Sequence, residues 1–153
     1  MTVADADWWR ARLTDEEDVL WSGRPDQGFF PLQYGWVYKV FLLALAVLWL
    51  VSPWMLESVR EFWKLTSVTL LLTFTLWADQ FVRSQRVYVV TSQDAWTLNK
   101  KLKSKALKID RFLSFTTGRR AVVFNRHPFF RFDHLSDPSA AFSALLQAQE
   151  ASK

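Results

Sequence analysis

Two long apolar stretches stand close together in the first half of the chain, at residues 37–56 and 63–82. Each is 20 residues long, and a helix of that length spans the roughly 30 Å hydrocarbon core of a bilayer. Only Glu57 to Phe62 separate them. The pattern predicts a transmembrane helical hairpin. The two alternatives are a buried hairpin in a soluble core and a shallow hairpin that does not cross the bilayer fully.

After the second stretch the pattern changes to short runs of β-branched and aromatic residues between polar turns, which is typical of antiparallel strands. These runs cover residues 87–91, 95–99, 106–110, 113–117, 119–125 and 129–132. Asp137 and Pro138 then begin a predicted amphipathic helix, which would close one open end of a curled sheet. Phe142, Leu145 and Leu146 are predicted to share one face of it.

The residues before the hairpin are predicted to belong to the same domain. Val19 to Trp21 form a short apolar run that ends in Ser-Gly-Arg-Pro. If this run pairs with the later strands, the hairpin is an insertion into one domain. Further upstream, an amphipathic turn is expected to lie either on the membrane surface or on the domain; its residues are Trp8, Trp9, Arg12 and Leu13.

The predicted fold class is therefore α+β: a two-helix transmembrane hairpin inserted in an antiparallel curled β-sheet or barrel with a C-terminal capping helix. The expected divisions are residues 1–36 for the N-terminal segment and first strand, 37–82 for the hairpin, and 83–153 for the β domain with its helix.

The distribution of charge predicts the orientation of the hairpin. In and just after the connecting loop, the charges of Arg60 and Lys64 are balanced by those of Glu57 and Glu61, whereas residues 83–153 carry thirteen basic and five acidic residues. The positive-inside rule then places both termini in the cytoplasm and the short loop outside. The acidic start lacks a basic-then-apolar signal, so the first apolar stretch is expected to act as its own insertion signal.

Short motifs on both sides of the hairpin resemble those of the bacterial pleckstrin-homology-like (PH-like) membrane proteins. The residues that carry the resemblance are Trp21, Gly23, Arg24 and Pro25 before the hairpin, and Tyr88 and Thr91 after it. The resemblance implies a multi-pass protein of the bacterial inner membrane with a seven-stranded curled sheet and a C-terminal helix. It also implies a binding or assembly role without a catalytic constellation. After Thr91 the family has an Asn- and Arg-rich turn, whereas this chain has Ser92 to Asp94.

The sequence offers little chemistry for catalysis. It has no cysteine and two histidines, His127 and His134. Zinc needs three or four converging ligands, and no such spacing is present. No glycine-rich phosphate loop is found either. We therefore expect no enzyme activity, no metal and no cofactor.

A cluster of basic residues after the hairpin is the strongest candidate for a binding site in this sequence. We expect it to bind anionic lipid or a protein partner. The alternative is a solvated loop that only follows the positive-inside rule. Nucleic acid is not expected, because no recognition helix carries the charge. The candidate binding residues are Lys100, Lys101, Lys103, Lys105, Lys108, Arg119 and Arg120.

A second function class is an assembly subunit that acts through its membrane helices. Thr66, Thr69 and Thr73 have helical spacing, and small polar residues on one face often mark a helix–helix contact. Such a contact would join a homo-oligomer or another membrane protein. The alternative is that each hydroxyl bonds its own helix backbone.

Overall fold

The computed structural model describes residues 7–14 and 17–152. The chain divides into two units. One comprises Met1–Asp26 together with Arg83–Lys153, and the other comprises Gln27–Val82. The first unit is therefore assembled from two separate parts of the chain. Within the described residues the structure is α+β, as predicted, with three α-helices and seven strands in two antiparallel sheets.

Four strands form the first sheet, in the order β1-β2-β3-β4. They are β1 (Val19–Gly23), β2 (Arg86–Thr91), β3 (Asp94–Asn99) and β4 (Lys105–Lys108). The predicted pairing of Val19 to Trp21 with a later strand is confirmed, because β1 runs antiparallel to β2. The segment between them is thus an insertion in the connection from β1 to β2.

Three short strands form the second sheet, in the order β5-β6-β7. They are β5 (Phe115–Thr117), β6 (Val122–Phe124) and β7 (Arg131–Phe132). The prediction of a single curled sheet differs from this arrangement. Residues 109–114 leave the strand conformation between β4 and β5, and the Asp110 carboxylate accepts the Phe112 N–H at 3.0 Å there. That turn ends β4 early and separates the two sheets.

The last helix, α3 (Pro138–Ala151), packs on the strands of the first unit. Asp137 caps it as predicted, accepting the Ser139 N–H at 2.9 Å. The Ser139 hydroxyl and N–H hold the pKa of Asp137 below its usual value. The predicted shared face of Phe142, Leu145 and Leu146 is only partly buried, because Leu145 is fully buried whereas Leu146 is exposed. The buried residues of the helix are Ala141, Ala144, Leu145 and Ala148. Small alanines let the helix backbone approach the aromatic side chains of the core.

That core is dominated by aromatic rings. Tyr88 and Phe132 lie 4.7 Å apart between ring centroids, and Phe124 meets Phe132 edge-on at 5.4 Å. All three are fully buried. Tyr88 comes from β2, so the core joins the first sheet to the second.

The second unit contains helix α1 (Gly35–Met55) and most of helix α2 (Val59–Ser84), whose last two residues belong to the first unit. Both are long and apolar enough to cross a membrane, judged by length and composition. Of the most apolar 18-residue stretch of each helix, only 11% is buried inside the protein in α1 and only 6% in α2. The connector is shorter than the predicted Glu57–Phe62, because α2 already begins at Val59.

Trp49 of α1 joins the two helices. Its indole Nε1 donates to the Thr69 hydroxyl at 2.9 Å, and its ring meets Phe62 edge-on at 5.8 Å. Pro53 lacks the N–H that would bond the Trp49 carbonyl. The Ser52 hydroxyl donates to that carbonyl at 2.8 Å, so the proline is accommodated within α1.

The N-terminal turn of the first unit packs on the domain, which was one of its two predicted positions. A short 3₁₀ turn at Arg10–Arg12 follows Trp9, which is 4% exposed. Trp9 packs against Val87, Val89 and Leu98 on the first sheet. This cluster covers the sheet face opposite the aromatic core, because Val87 and Val89 alternate with Tyr88 and Val90.

This packing predicts a large effect of truncating Trp9. We expect Trp9→Ala to lower the melting temperature of the full chain in detergent by about 10 °C or more, since removing a buried tryptophan costs roughly 3–5 kcal/mol. Phe112→Ala is the control, because Phe112 is 65% exposed. Circular dichroism measures both. Equal melting of Trp9→Ala and the control would contradict the assignment of the N-terminal turn to the core.

Candidate functional site

The lysine-rich turn between β3 and β4 is held by backbone and side-chain bonds. The Lys100 N–H donates to the Gln85 carbonyl at 2.9 Å. The Asn99 side-chain amide donates to the Lys103 carbonyl at 3.1 Å, and the Asn99 N–H donates to the Ser104 hydroxyl at 3.2 Å. The turn therefore has a defined shape, although its lysines are exposed.

Arg12 fastens this turn from the N-terminal segment. Its guanidinium donates to the Asn99 carbonyl at 2.7 Å, to the Ser104 hydroxyl at 3.1 Å and to the Lys100 carbonyl at 3.2 Å. It also lies 5.1 Å from the centre of the Trp8 ring. One arginine thus engages three acceptors of the turn, which a single ammonium group could not match in geometry.

A cleft of about 390 Å³ opens beside the turn. One wall is the β3–β4 hairpin and the other is the segment from Pro128 to Asp133. The two walls approach where the Lys105 ammonium donates to the Phe129 carbonyl at 3.4 Å. The lining residues are Arg86, Thr97, Asn99, Leu102, Lys103, Lys105, Pro128, Phe129, Arg131 and Asp133.

Positive charge dominates the lining. Asp133 is the only carboxylate among the described residues that line the cleft, and it is already paired with Arg131 at 2.6 Å. Arg86 donates to the Asn99 side-chain oxygen at 3.5 Å, a long contact to a neutral group. Arg86, Lys103 and Lys105 thus face the cleft with no other acid among the lining residues. An anion in the cleft would relieve their mutual repulsion.

Tyr88 is fully buried, and its phenol oxygen accepts the N–H of Asp133, which lines the cleft, at 3.1 Å. Burial raises the pKa of the Tyr88 phenol, against an opposing effect of the nearby Arg86. The phenol is therefore neutral near pH 7 and adds no negative charge to the cleft.

A second cavity of about 550 Å³ adjoins the first and shares Lys103, Lys105, Pro128 and Phe129 with it. It adds Arg126 and His127 to the basic lining. Two of the side chains that line the cleft are apolar and exposed to solvent: Phe129 is 87% exposed and Leu102 is 52% exposed. Basic and apolar groups together give the surface an amphipathic character.

The structure brings only some of the predicted binding residues together. Lys103 and Lys105 line the cleft, whereas Lys100 and Lys101 lie in the same turn and line neither cavity. Lys108 lines a smaller cavity of about 270 Å³. Arg119 and Arg120 lie in the turn between β5 and β6, outside both cavities of the cleft.

Sequence reasoning missed Arg86, Arg131 and Phe129. Arg86 begins β2 and Arg131 begins β7, and only the folded chain places them on one cleft. The local signal for Phe129 and Arg131 was the run Phe129 to Phe132, in which aromatic and basic residues are adjacent.

Of the motif residues before the hairpin, Arg24 is exposed, and Trp21, Gly23 and Pro25 have structural roles. The Trp21 ring stacks on Phe132 with 6.2 Å between centroids. A Cβ at Gly23 would overlap the Trp21 ring, so glycine lets the ring fold back over the strand. Pro25 is fully buried.

Thr91 organises the turn between β2 and β3. Its hydroxyl accepts the Asp94 N–H at 2.9 Å and contacts a Glu17 carboxylate oxygen at 2.8 Å. The Trp96 indole donates to the same Glu17 oxygen at 3.1 Å. Burial, followed by the charge of Glu17, raises the pKa of Asp94, while Lys108 on the neighbouring strand opposes the rise.

The predicted threonine face of α2 bonds its own helix. The hydroxyls of Thr66, Thr69 and Thr73 donate to the carbonyls of Phe62, Leu65 and Thr69 at 2.8–2.9 Å. Thr69 also receives the indole bond from Trp49. The contact that Thr69 makes is therefore within this chain.

Among residues 7–14 and 17–152, no group of three or more His, Asp or Glu side chains is placed to hold a metal ion. The sequence matches no protein-family model, and comparisons with curated proteins and with solved structures give no match either.

The raised pKa of Asp94 predicts a pH-dependent effect. A raised carboxyl pKa means that folding favours the protonated form, so this contribution to stability is present below the unfolded pKa of about 3.8 and is lost as the pH rises through the folded value. Asparagine is neutral throughout. We therefore expect Asp94→Asn to melt higher than the unmodified chain at pH 7 and equally at about pH 3.

Glu150→Gln provides the control, because it removes one acidic charge from an exposed position on α3. The melting temperatures of both variants and of the unmodified chain, measured at pH 7 and at about pH 3, test this prediction. A lower melting temperature for Asp94→Asn at pH 7 would show that the carboxylate stabilises the turn instead.

Proposed function

We propose that this chain is a membrane-anchored, non-catalytic binding module whose basic domain meets anionic lipid at the cytoplasmic face of a bacterial inner membrane. The observation that carries the proposal is the uncovered apolar surface of two long helices inserted between paired strands. The cleft described above supplies the basic surface.

The apolar side chains of both helices support a membrane environment. Leu43, Leu50, Trp54, Leu70 and Leu71 are each between 66% and 81% exposed. Apolar surface in water costs about 25 cal/mol per Å², and soluble monomers rarely expose such contiguous apolar surface. Hydrocarbon around the helices removes that cost.

Strand pairing and charge support the orientation. Because β1 and β2 are neighbours, both ends of the inserted segment return to one domain. Two full crossings satisfy that condition, since they bring the chain back to the side where it started. The excess of basic residues after α2 favours the cytoplasm for this side.

The order of elements supports a PH-like domain. The described part of the chain has seven strands followed by a C-terminal helix, which is the order that the resemblance implies. Five of the motif residues pack in the core or organise a turn, so the motifs reflect folding requirements. These residues are Trp21, Gly23, Pro25, Tyr88 and Thr91. A common chemistry is not needed to explain them.

The assembly alternative draws less support from the geometry. The threonine hydroxyls that suggested it are engaged with their own helix, and Thr69 contacts Trp49 of the same chain. A role in assembly would have to depend on other side chains of the helices.

Topology reporters test the proposal. We expect green fluorescent protein fused after Lys153 to fluoresce in a bacterial host, and alkaline phosphatase inserted at Ser58 to be active. The protein should also stay in the membrane pellet after alkaline carbonate extraction. An inactive phosphatase at Ser58 with a periplasmic C-terminus, or release of the protein by carbonate, would contradict the proposal.

A further inference from the structure

The cleft lies close in the chain to the end of the second long helix. Helix α2 ends at Ser84, and Arg86, which lines the cleft, follows two residues later. Two residues span at most about 7 Å. The Lys100 N–H bonds the Gln85 carbonyl, so the lysine-rich turn is tied to the residue directly after the helix.

The lining of the cleft matches the chemistry of a phosphate group. Arginine offers planar, paired donors to phosphate oxygens, and lysine offers a compact charge. Arg86, Lys103 and Lys105 supply both kinds of donor, while Asp133 is occupied by Arg131. The volume of about 390 Å³ is in the range of small-ligand sites.

The exposed apolar side chains identify which phosphate compound fits. A soluble phosphate ion has no apolar part that could contact Phe129, which is 87% exposed, or Leu102 at the same cleft. A phospholipid presents a phosphate next to apolar chains, and aromatic side chains favour that interfacial zone. The two kinds of group in the cleft thus correspond to the two parts of one lipid.

We infer that this cleft binds the phosphate of an anionic phospholipid, with Arg86, Lys103 and Lys105 as its donors and with Phe129 in the interfacial zone beside it. The inference rests on the proposed function, because the lipid reaches the cleft from the membrane that holds the helices. The inference goes further than the proposed function, because it assigns lipid binding to one defined site. General attraction between basic residues and a charged membrane surface would need no such site.

Lipid binding by the full chain in detergent separates a site from general attraction. Native mass spectrometry counts phosphatidylglycerol adducts, with phosphatidylcholine as the reference lipid. We expect Lys103→Gln with Lys105→Gln to weaken phosphatidylglycerol binding by about 10-fold or more. The matched control is Lys100→Gln with Lys101→Gln, which removes the same charge from the same turn outside the cleft and should bind within about threefold of the unmodified chain.

Equal losses in the two double variants would overturn the site, as would no loss in the cleft variant. A further experiment measures binding of inorganic phosphate to the chain, with chloride at equal ionic strength as the reference anion. Phosphate that binds the chain while phosphatidylglycerol gives no adduct would overturn the lipid assignment. These outcomes are separate from membrane insertion, which the topology reporters measure.

Phe129 provides a second readout that does not depend on the lysines. The chain has no cysteine, so Phe129→Cys can carry a single environment-sensitive fluorophore. In nanodiscs, we expect its emission to shift to the blue when phosphatidylglycerol replaces part of the phosphatidylcholine. The same label at Phe112→Cys, also exposed but outside the cleft, should not shift. Equal shifts at both positions, or none at Phe129, would contradict the inference.

Discussion

Strands β1 and β2 lie side by side in an antiparallel pair although residues 24–85 separate them in the chain. Backbone groups in a sheet need partners, so this pairing fixes both ends of the inserted segment on one domain. The pairing also sets the two faces of β2: Tyr88 enters the aromatic core, and Val87 and Val89 receive Trp9 on the opposite face. The N-terminal turn then holds the lysine-rich turn through Arg12, so the cleft depends on the same pairing.

Local patterns predicted most of the elements. Runs of β-branched and aromatic residues predicted β2 and β3 to within a residue, because both strands are buried along most of their length. Asp137 and Pro138 located the start of α3 for an equally local reason. The break between the two sheets could not be predicted, since it depends on how β4 ends at the Asp110 turn and on which later strand finds a partner.

The site was predictable only in part. The lysines of the β3–β4 turn are close in sequence, and composition alone identified Lys103 and Lys105 as exposed cations. Arg86 and Arg131 begin strands in different sheets, so their approach follows from tertiary packing. Equally, composition did not separate Lys103 and Lys105 from Lys100 and Lys101, because all four are exposed lysines close in sequence and only the fold places two of them on the cleft.

The central claim is that hydrocarbon surrounds the helices inserted between β1 and β2. Spin labels at Leu50→Cys and Leu71→Cys, placed singly in the cysteine-free chain in nanodiscs, test it by electron paramagnetic resonance power saturation. The account predicts frequent collisions with oxygen, which dissolves in the bilayer, and few with a water-soluble nickel chelate at both positions. Strong relaxation by the nickel chelate would place these side chains in water, and protection from both reagents would place them in a protein core; either result would contradict the account.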